Sequence, residues 1–149
     1  MRKNIHNHLM MLKYFKRLTE MVVVGLDEKV DFPEFNLTGV VAKIDTGADG
    51  TSLHCDYIQQ KDNLIEFTPL DPSYPQYKNQ KIEKPILGTQ EVMSSNGESE
   101  DRFFIETTII IKNKEYITNV SLTNRAKMKT PVLIGKNVLK GAFLVNPAL

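Results

Sequence analysis

Cysteine is almost missing from this sequence: Cys55 is the only one in 149 residues. A single thiol cannot build an internal disulfide framework or a multi-cysteine zinc site. Long apolar runs are missing too. None approaches the ~20 residues that a membrane-spanning helix needs, so no integral membrane segment is expected. A secretory leader would require a basic start, about 7–15 uninterrupted apolar residues and a small-residue cleavage site. That pattern is not found, and a cytoplasmic location is the expectation. Net charge is nearly absent as well, with 19 Lys and Arg against 18 Asp and Glu.

What is present is globular. Hydrophobic residues make up 41% and charged residues 25%, with eight Gly and seven Pro, which excludes wholesale disorder and collagen-like fibre. The length suits one ordinary domain with a short appendage. The charge is unevenly spread. Residues 1–20 hold Arg2, Lys3, Lys13, Lys16 and Arg17 against Glu20, a balance of +4, and the other 129 residues hold 14 basic and 17 acidic side chains, a balance of −3. A body of that charge lacks the clustered basic face that phosphate-backbone binding needs, so no nucleic-acid partner is expected. Leu9, Met10, Leu12, Tyr14, Phe15 and Leu18 have rough helical spacing. Residues 1–20 therefore read as an amphipathic extension, helical or disordered, with a membrane-surface helix as the other reading. Met10, Met11 and Met21 leave the start site open.

From Met21 onward the pattern is one of short strands. Met21–Leu26 is a β-branched run that breaks at Asp27-Glu28. Val40, Ala42 and Ile44 alternate along Gly39–Ile44, the period of a half-buried strand. Leu64–Thr68 and Lys81–Ile86 flank a Pro-rich connection. Glu91–Met93 and Arg102–Phe104 bracket Asn96-Gly97, a strong hairpin signal. A second hairpin alternates over Phe103–Ile111, turns over Lys112–Glu115, and returns over Tyr116–Leu122. Pro131–Ile134, one helical turn over Asn137–Lys140, and Phe143–Val145 finish the pattern. Many short, closely spaced strands with little helix point to an all-β fold, a small barrel or sandwich.

The chemistry concentrates in Ala42-Lys43-Ile44-Asp45-Thr46-Gly47-Ala48-Asp49. A buried strand delivers the Asp45 carboxylate into a tight loop at the end of a rigid element, as catalysis requires. Thr46 can bond across the loop, and Gly47 lets backbone approach the carboxylate closely. Asp-Thr-Gly alone is weak, because a chain this long contains it by chance roughly a few per cent of the time. A plain turn between strands would look the same. Its companion lies near the end, in Val132-Leu133-Ile134-Gly135-Lys136-Asn137-Val138-Leu139.

Together the two motifs resemble the retropepsin-like aspartic peptidases, in which an apolar-Gly strand threads beneath the catalytic loop and a short helix follows. The resemblance extends to a bacterial branch labelled ATP-dependent zinc proteases, whose members neighbour or fuse with ATP-grasp ligases. Thr51-Ser52-Leu53-His54, Ser95-Asn96-Gly97-Glu98 with Arg102, Leu122-Thr123-Asn124-Arg125 with Met128, and Phe143-Leu144-Val145-Asn146-Pro147 match it in order. Asp49-Gly50, Lys136 and Cys55 depart from the branch's usual residues and leave Asp45 untouched.

The resemblance implies a small closed β-barrel of acid-protease type over residues 21–149, with one short C-terminal helix and the extension 1–20 ahead of it. It implies Asp45, Thr46 and Gly47 as catalytic residues and Ala48, Asp49, Asn96 and Gly97 as substrate-binding residues. Asn96-Gly97 would tip a flap, and Ile134, Gly135 and Lys136 would support the loop, Lys136 through an ion pair to Asp49. No cofactor or metal is expected. There is no His-Glu-x-x-His, and His6, His8 and His54 form no ligand trio with carboxylates. His54 reads as structural, and Cys55 as a small core or edge residue. An aspartic mechanism needs two carboxylates sharing a proton, a coupling for which aspartic proteases are themselves the standard example. This chain has one Asp-Thr-Gly, so the implied enzyme is a symmetric homodimer acting on a peptide or protein substrate. The alternative is a non-catalytic peptide-binding or regulatory module beside an amide-ligase system.

Overall fold

The computed structural model describes residues 2–93, 97–124, 126 and 128–149. The helix α1 (Arg2–Glu20) precedes the strands β1 (Val22–Val24), β2 (Asp27–Phe32), β3 (Leu37–Ile44), β4 (Thr51–Lys61), β5 (Leu64–Pro69) and β6 (Ile82–Pro85). Next come β7 (Gly88–Met93), β8 (Ser99–Ile111), β9 (Lys114–Thr123), β10 (Val132–Ile134), the four-residue helix α2 (Lys136–Leu139) and β11 (Phe143–Val145).

Six strands close into a barrel, in the order β10-β3-β2-β8-β9-β4 and back to β10. The closing strand is β10, which runs parallel to β3 with Ile134 beside Ile44 and antiparallel to β4 with Val132 beside Leu53. β5 and β6 extend the sheet outward from β4, and β7 folds back on the first half of β8. β1 and β11 form a separate two-stranded parallel ribbon. The all-β barrel and short C-terminal helix implied by the sequence are both present, and α1 is a second helix.

Alternation explains most of these strands. Val40, Ala42 and Ile44 of β3 are buried, as are Ile105, Thr107, Ile109 and Ile111 of β8. The β8–β9 hairpin is tighter than its sequence suggested. Ile111 pairs directly with Lys114, and the two residues between them, Lys112 and Asn113, both take positive φ of 51° and 63°. A two-residue turn of that hand matches the strand twist. Fully buried Phe32, Phe35 and Phe67 pack in series, with ring centres 5.8 and 5.3 Å apart. Each contributes about 1.5–3 kcal/mol by burial.

Two strands differ from the sequence reading. The acidic stretch after Leu26, where the sequence reads as a break, is β2. Its Val30 and Phe32 are buried, while Glu28 and Asp31 accept hydrogen bonds from the Gly25 and Gly39 N–H groups. β4 shows no apolar alternation in the sequence, because its buried positions include the polar Thr51, Ser52 and His54.

Candidate active site

Asp45 leaves the end of β3 and is held by backbone on two sides. Its N–H donates to the Ile134 carbonyl of β10 at 2.9 Å. Its Oδ1 accepts the Gly47 N–H at 2.9 Å and the Ala48 N–H at 3.2 Å. Two amide donors on one oxygen fix the carboxylate's plane while the loop itself stays at the surface, with Thr46 and Gly47 exposed. A Cβ on Gly47 would stand 3.3 Å from that same oxygen, so the glycine is what allows the close approach.

The loop rests on the turn from β10 into α2. The Lys136 N–H donates to the Ala48 carbonyl at 2.8 Å and the Asn137 N–H to the Asp49 carbonyl at 3.1 Å. Loop carbonyls thus satisfy two N–H groups that the start of a helix leaves open. Lys136 Nζ reaches Asp49 Oδ1 at 2.8 Å, the pairing anticipated between these residues. The Lys136 ammonium holds the Asp49 carboxyl below its usual value. Because Asp49 is almost fully exposed, the contact orients the loop more than it stabilises the fold. Gly135 sits under the loop with no room for a side chain: a Cβ there would lie 2.2 Å from the Gly50 carbonyl oxygen and 2.9 Å from that of Ala48.

Two residues that the sequence reading gave no role complete the clamp. The buried Thr51 hydroxyl donates to Asn137 Oδ1 at 2.8 Å and accepts the Gly135 N–H at 3.2 Å. The Asn137 amide then donates to Thr118 Oγ1 at 3.1 Å and to the Asn119 carbonyl at 2.9 Å. β4, β9, β10 and α2 are therefore laced together directly below Asp45. A signal was available: a Thr opening a strand after the loop, and an Asn just after the Gly of the second motif, are side chains that bond backbone at element ends.

The residues singled out from sequence divide into two groups. Asp45, Thr46, Gly47, Ala48 and Asp49 come together with Ile134, Gly135 and Lys136. Asn96 lies outside the described residues. Gly97 takes φ +85° in the β7–β8 hairpin, and no hydrogen bond or ion pair among the described residues links it to Asp45. The hairpin's root is fixed, with Gly88 opposite Phe104 and Met93 opposite Ser99. On β8, the Arg102 Nε–H is buried with no acceptor among the described residues.

His54 and Cys55 are structural neighbours of this site. His54, 1% exposed, places Nε2 2.7 Å from Asp71 Oδ2. Asp71 Oδ1 accepts the Ser73 N–H at 2.8 Å and the Ser73 hydroxyl at 2.5 Å. Ser73 first, and then His54, hold the Asp71 carboxyl below its usual value despite partial burial. Cys55 is buried, and desolvation pushes its thiol well up, away from the reactive thiolate. No three His, Cys, Asp or Glu side chains among the described residues converge as metal ligands would. A cavity of about 510 Å³ opens beside Ile44, lined by Leu26, Asp27, Lys43, Met128, Lys129 and Thr130.

A closed six-stranded barrel whose Asp-Thr-Gly loop lies on an inserted Ile-Gly strand and a short helix defines the retropepsin-like class. The chain belongs to the RimB-like family, described as retropepsin-like aspartic endopeptidase RimB, which it matches over residues 23–149. It is similar to a protein named probable alpha-L-glutamate ligase from Desulfotalea psychrophila, at 27% identity over 131 residues, covering 85% of this chain and 28% of that one. A protein of the same name from Parasynechococcus marenigrum is 28% identical over 138 residues, covering 87% of this chain and 29% of that one. The chain thus spans less than a third of the length of these curated relatives. A crystal structure of a Legionella pneumophila protein of unknown function shares the fold, with a TM-score of 0.68 and 25% identity, covering 86% of this chain and 95% of that one. No helix among the described residues is long and apolar enough to cross a membrane.

Proposed function

We propose that the protein is an aspartic endopeptidase in which two Asp45 carboxylates, one from each subunit of a homodimer, activate a water molecule on a peptide bond. The observation that carries this reading is the pair of amide donors on Asp45 Oδ1, with the whole loop clamped to β10 and α2. A carboxylate aimed this rigidly from the end of a strand suits general acid–base work. In the reaction the ionised Asp45 takes a proton from the water as its oxygen attacks the carbonyl carbon. The protonated Asp45 of the other subunit gives its proton to the carbonyl oxygen. Collapse of the tetrahedral carbon then breaks the C–N bond, and the amine leaves with a proton returned by a carboxyl group.

The β1–β11 ribbon supports the dimer. A two-stranded ribbon is marginal alone, and this one leaves Val23 and Leu144 exposed, with Leu26 and Leu149 nearby in sequence. In this reading Ala48 and Asp49 line the substrate, the Gly97 hairpin covers it, and the cavity beside Ile44 accepts a substrate side chain. The name of the glutamate-ligase relatives, together with Lys43 and Lys129 at the cavity wall, favours a glutamate-bearing peptide. The same relatives favour one other reading, a non-catalytic peptide-binding module working beside such a ligase.

Peptide cleavage by wild type and Asp45→Asn, followed from acid to neutral pH, separates the two. The peptidase reading expects turnover by wild type that is bell-shaped in pH, since two adjacent carboxylates share one proton. It also expects specific activity that falls on dilution as dimers dissociate, no turnover by Asp45→Asn, and no effect of a chelator. Full activity in Asp45→Asn, or in a strictly monomeric protein, refutes it. A folded dimer that cleaves no peptide, glutamyl peptides included, favours the binding module.

A further inference from the structure

The helix α1 faces the body near its C-terminal end. Tyr14, Arg17, Leu18 and Met21, spaced to share one side of a helix, line a small cavity together with Phe143 and Leu144 of the body. Ile5, Leu9, Leu12 and Phe15 form a second stripe, at intervals of four, three and three. At 3.6 residues per turn this stripe lies roughly opposite the first, and each of its side chains is more than half exposed. Met10, Met11 and Tyr14 are as exposed as this stripe, so α1 as a whole offers an uncovered apolar surface. The charge of the helix says what covers it. Residues 1–20 carry five cations against one anion while the rest of the chain is net negative; Lys13 lies beside the apolar stripe and Lys16 one turn beyond Leu12 on the same side.

We infer that α1 is an interfacial helix that docks the protein on an anionic lipid surface. Ile5, Leu9, Leu12 and Phe15 enter the acyl boundary, and the lysines lie along their own stems to place ammonium groups among the headgroup phosphates. A second copy of the helix fits less well, because it would bring a charge of +4 against +4. Spanning is not the mode, since α1 is not apolar enough to cross. Neither half of the attraction is strong alone. The apolar area is four side chains, and the cationic term is screened within a Debye length, so binding requires both. The inference is independent of peptidase activity.

The test uses the full chain and vesicle flotation. One set of vesicles is zwitterionic phosphatidylcholine, and the other contains roughly one part in four phosphatidylglycerol, at about 0.1 M salt. Binding to the anionic set alone is expected. It should weaken about tenfold or more in the double variants Leu12→Glu/Phe15→Glu and Lys13→Glu/Lys16→Glu, and when salt rises to about 0.5 M. These side chains are exposed, so both variants should keep the wild-type circular dichroism. The sequence contains no tryptophan, so Phe15→Trp supplies a single indole whose emission should shift to the blue on anionic vesicles. Three results overturn the inference: no binding to either vesicle, binding indifferent to both double variants, or lipid-free self-association that Leu12→Glu/Phe15→Glu abolishes. The last would assign the stripe to a second copy.

Discussion

Gly135→Ala tests the architecture of the site with the addition of one methyl group. The new Cβ would lie 2.2 Å from the Gly50 oxygen, 2.6 Å from the Gly50 carbonyl carbon and 2.9 Å from the Ala48 oxygen. All three are backbone atoms of the loop that carries Asp45, so no flexible side-chain tip can swing away. Overpacking of this kind costs about 1–3 kcal/mol, and the rigid surroundings put this case near ~3 kcal/mol. For a domain of this size, at about 3–4 °C per kcal/mol, Tm should fall by roughly 10 °C. The matched control approaches the same contact from the other side. A Cβ on Gly50 meets nothing within 4 Å, so Gly50→Ala should stay within about 0.5 kcal/mol of wild type. Thermal unfolding by circular dichroism measures both. If the loop lifts to admit the methyl group, the Lys136 and Asn137 amides lose their carbonyl partners, and any Asp45-dependent turnover should fall along with Tm. A Gly135→Ala protein melting within about 1 °C of wild type, or a Gly50→Ala protein melting as low as Gly135→Ala, would refute the reasoning.

Other outcomes follow from the surrounding bonds. Thr51→Val keeps the shape but leaves the buried Gly135 N–H without its acceptor, and should lower stability by about 1–3 kcal/mol in urea unfolding. Cys55 should resist a thiol reagent such as a disulfide dye at mildly alkaline pH in the native protein and react at once in denaturant; native reactivity within minutes would contradict its burial and raised thiol value. The Asp71 carboxyl is held low in the folded state, so its stabilising contribution is complete above the unfolded carboxylate value near ~4 and disappears as pH falls through the folded value. Urea midpoints at neutral pH and near pH ~3 should therefore differ less in Asp71→Asn than in wild type; equal differences would dismiss the effect.

The sequence made the site's skeleton legible where motif and periodicity agreed. Asp45 at the end of an alternating strand and the Ile134-Gly135 pair were readable because tight backbone contact restricts the residue choice. The pairing of Asp49 with Lys136 came from the resemblance to the retropepsin-like peptidases, whose matching positions pair, and opposite charges at both positions permit it. β2 and β4 were not legible, for a physical reason. Glu28 and Asp31 look like turn carboxylates, and they bond the Gly25 amide and the Gly39 amide of β3, yet the strand continues past them because Val30 and Phe32 face the core. Thr51, Ser52 and His54 are buried polar residues whose partners, Asn137 and Asp71 among them, come from elsewhere in the chain. Hydrophobic alternation carries no trace of such long-range bonds. Gly88, Thr89 and Gln90, which begin β7, likewise give no apolar period of their own and gain their pairing from β8.

The position of β10 has a consequence for how the molecule assembles. β3 and β4 flank the loop that presents Asp45, and the strand that joins them is not made until residues 132–134 emerge. Until then both facing edges are open ladders of unpaired N–H and C=O groups, exposed to any passing strand, and the Ala48 and Asp49 carbonyls have no helix start to grip. Such non-local closure is intrinsically slow. A growing or truncated chain ending before Val132 would lack the Ile134 carbonyl that holds the Asp45 amide, so the loop's geometry is not set until that strand has been made. β10 thus acts as a built-in delay, fixing the Asp45 loop only after the other five strands of the barrel have been made.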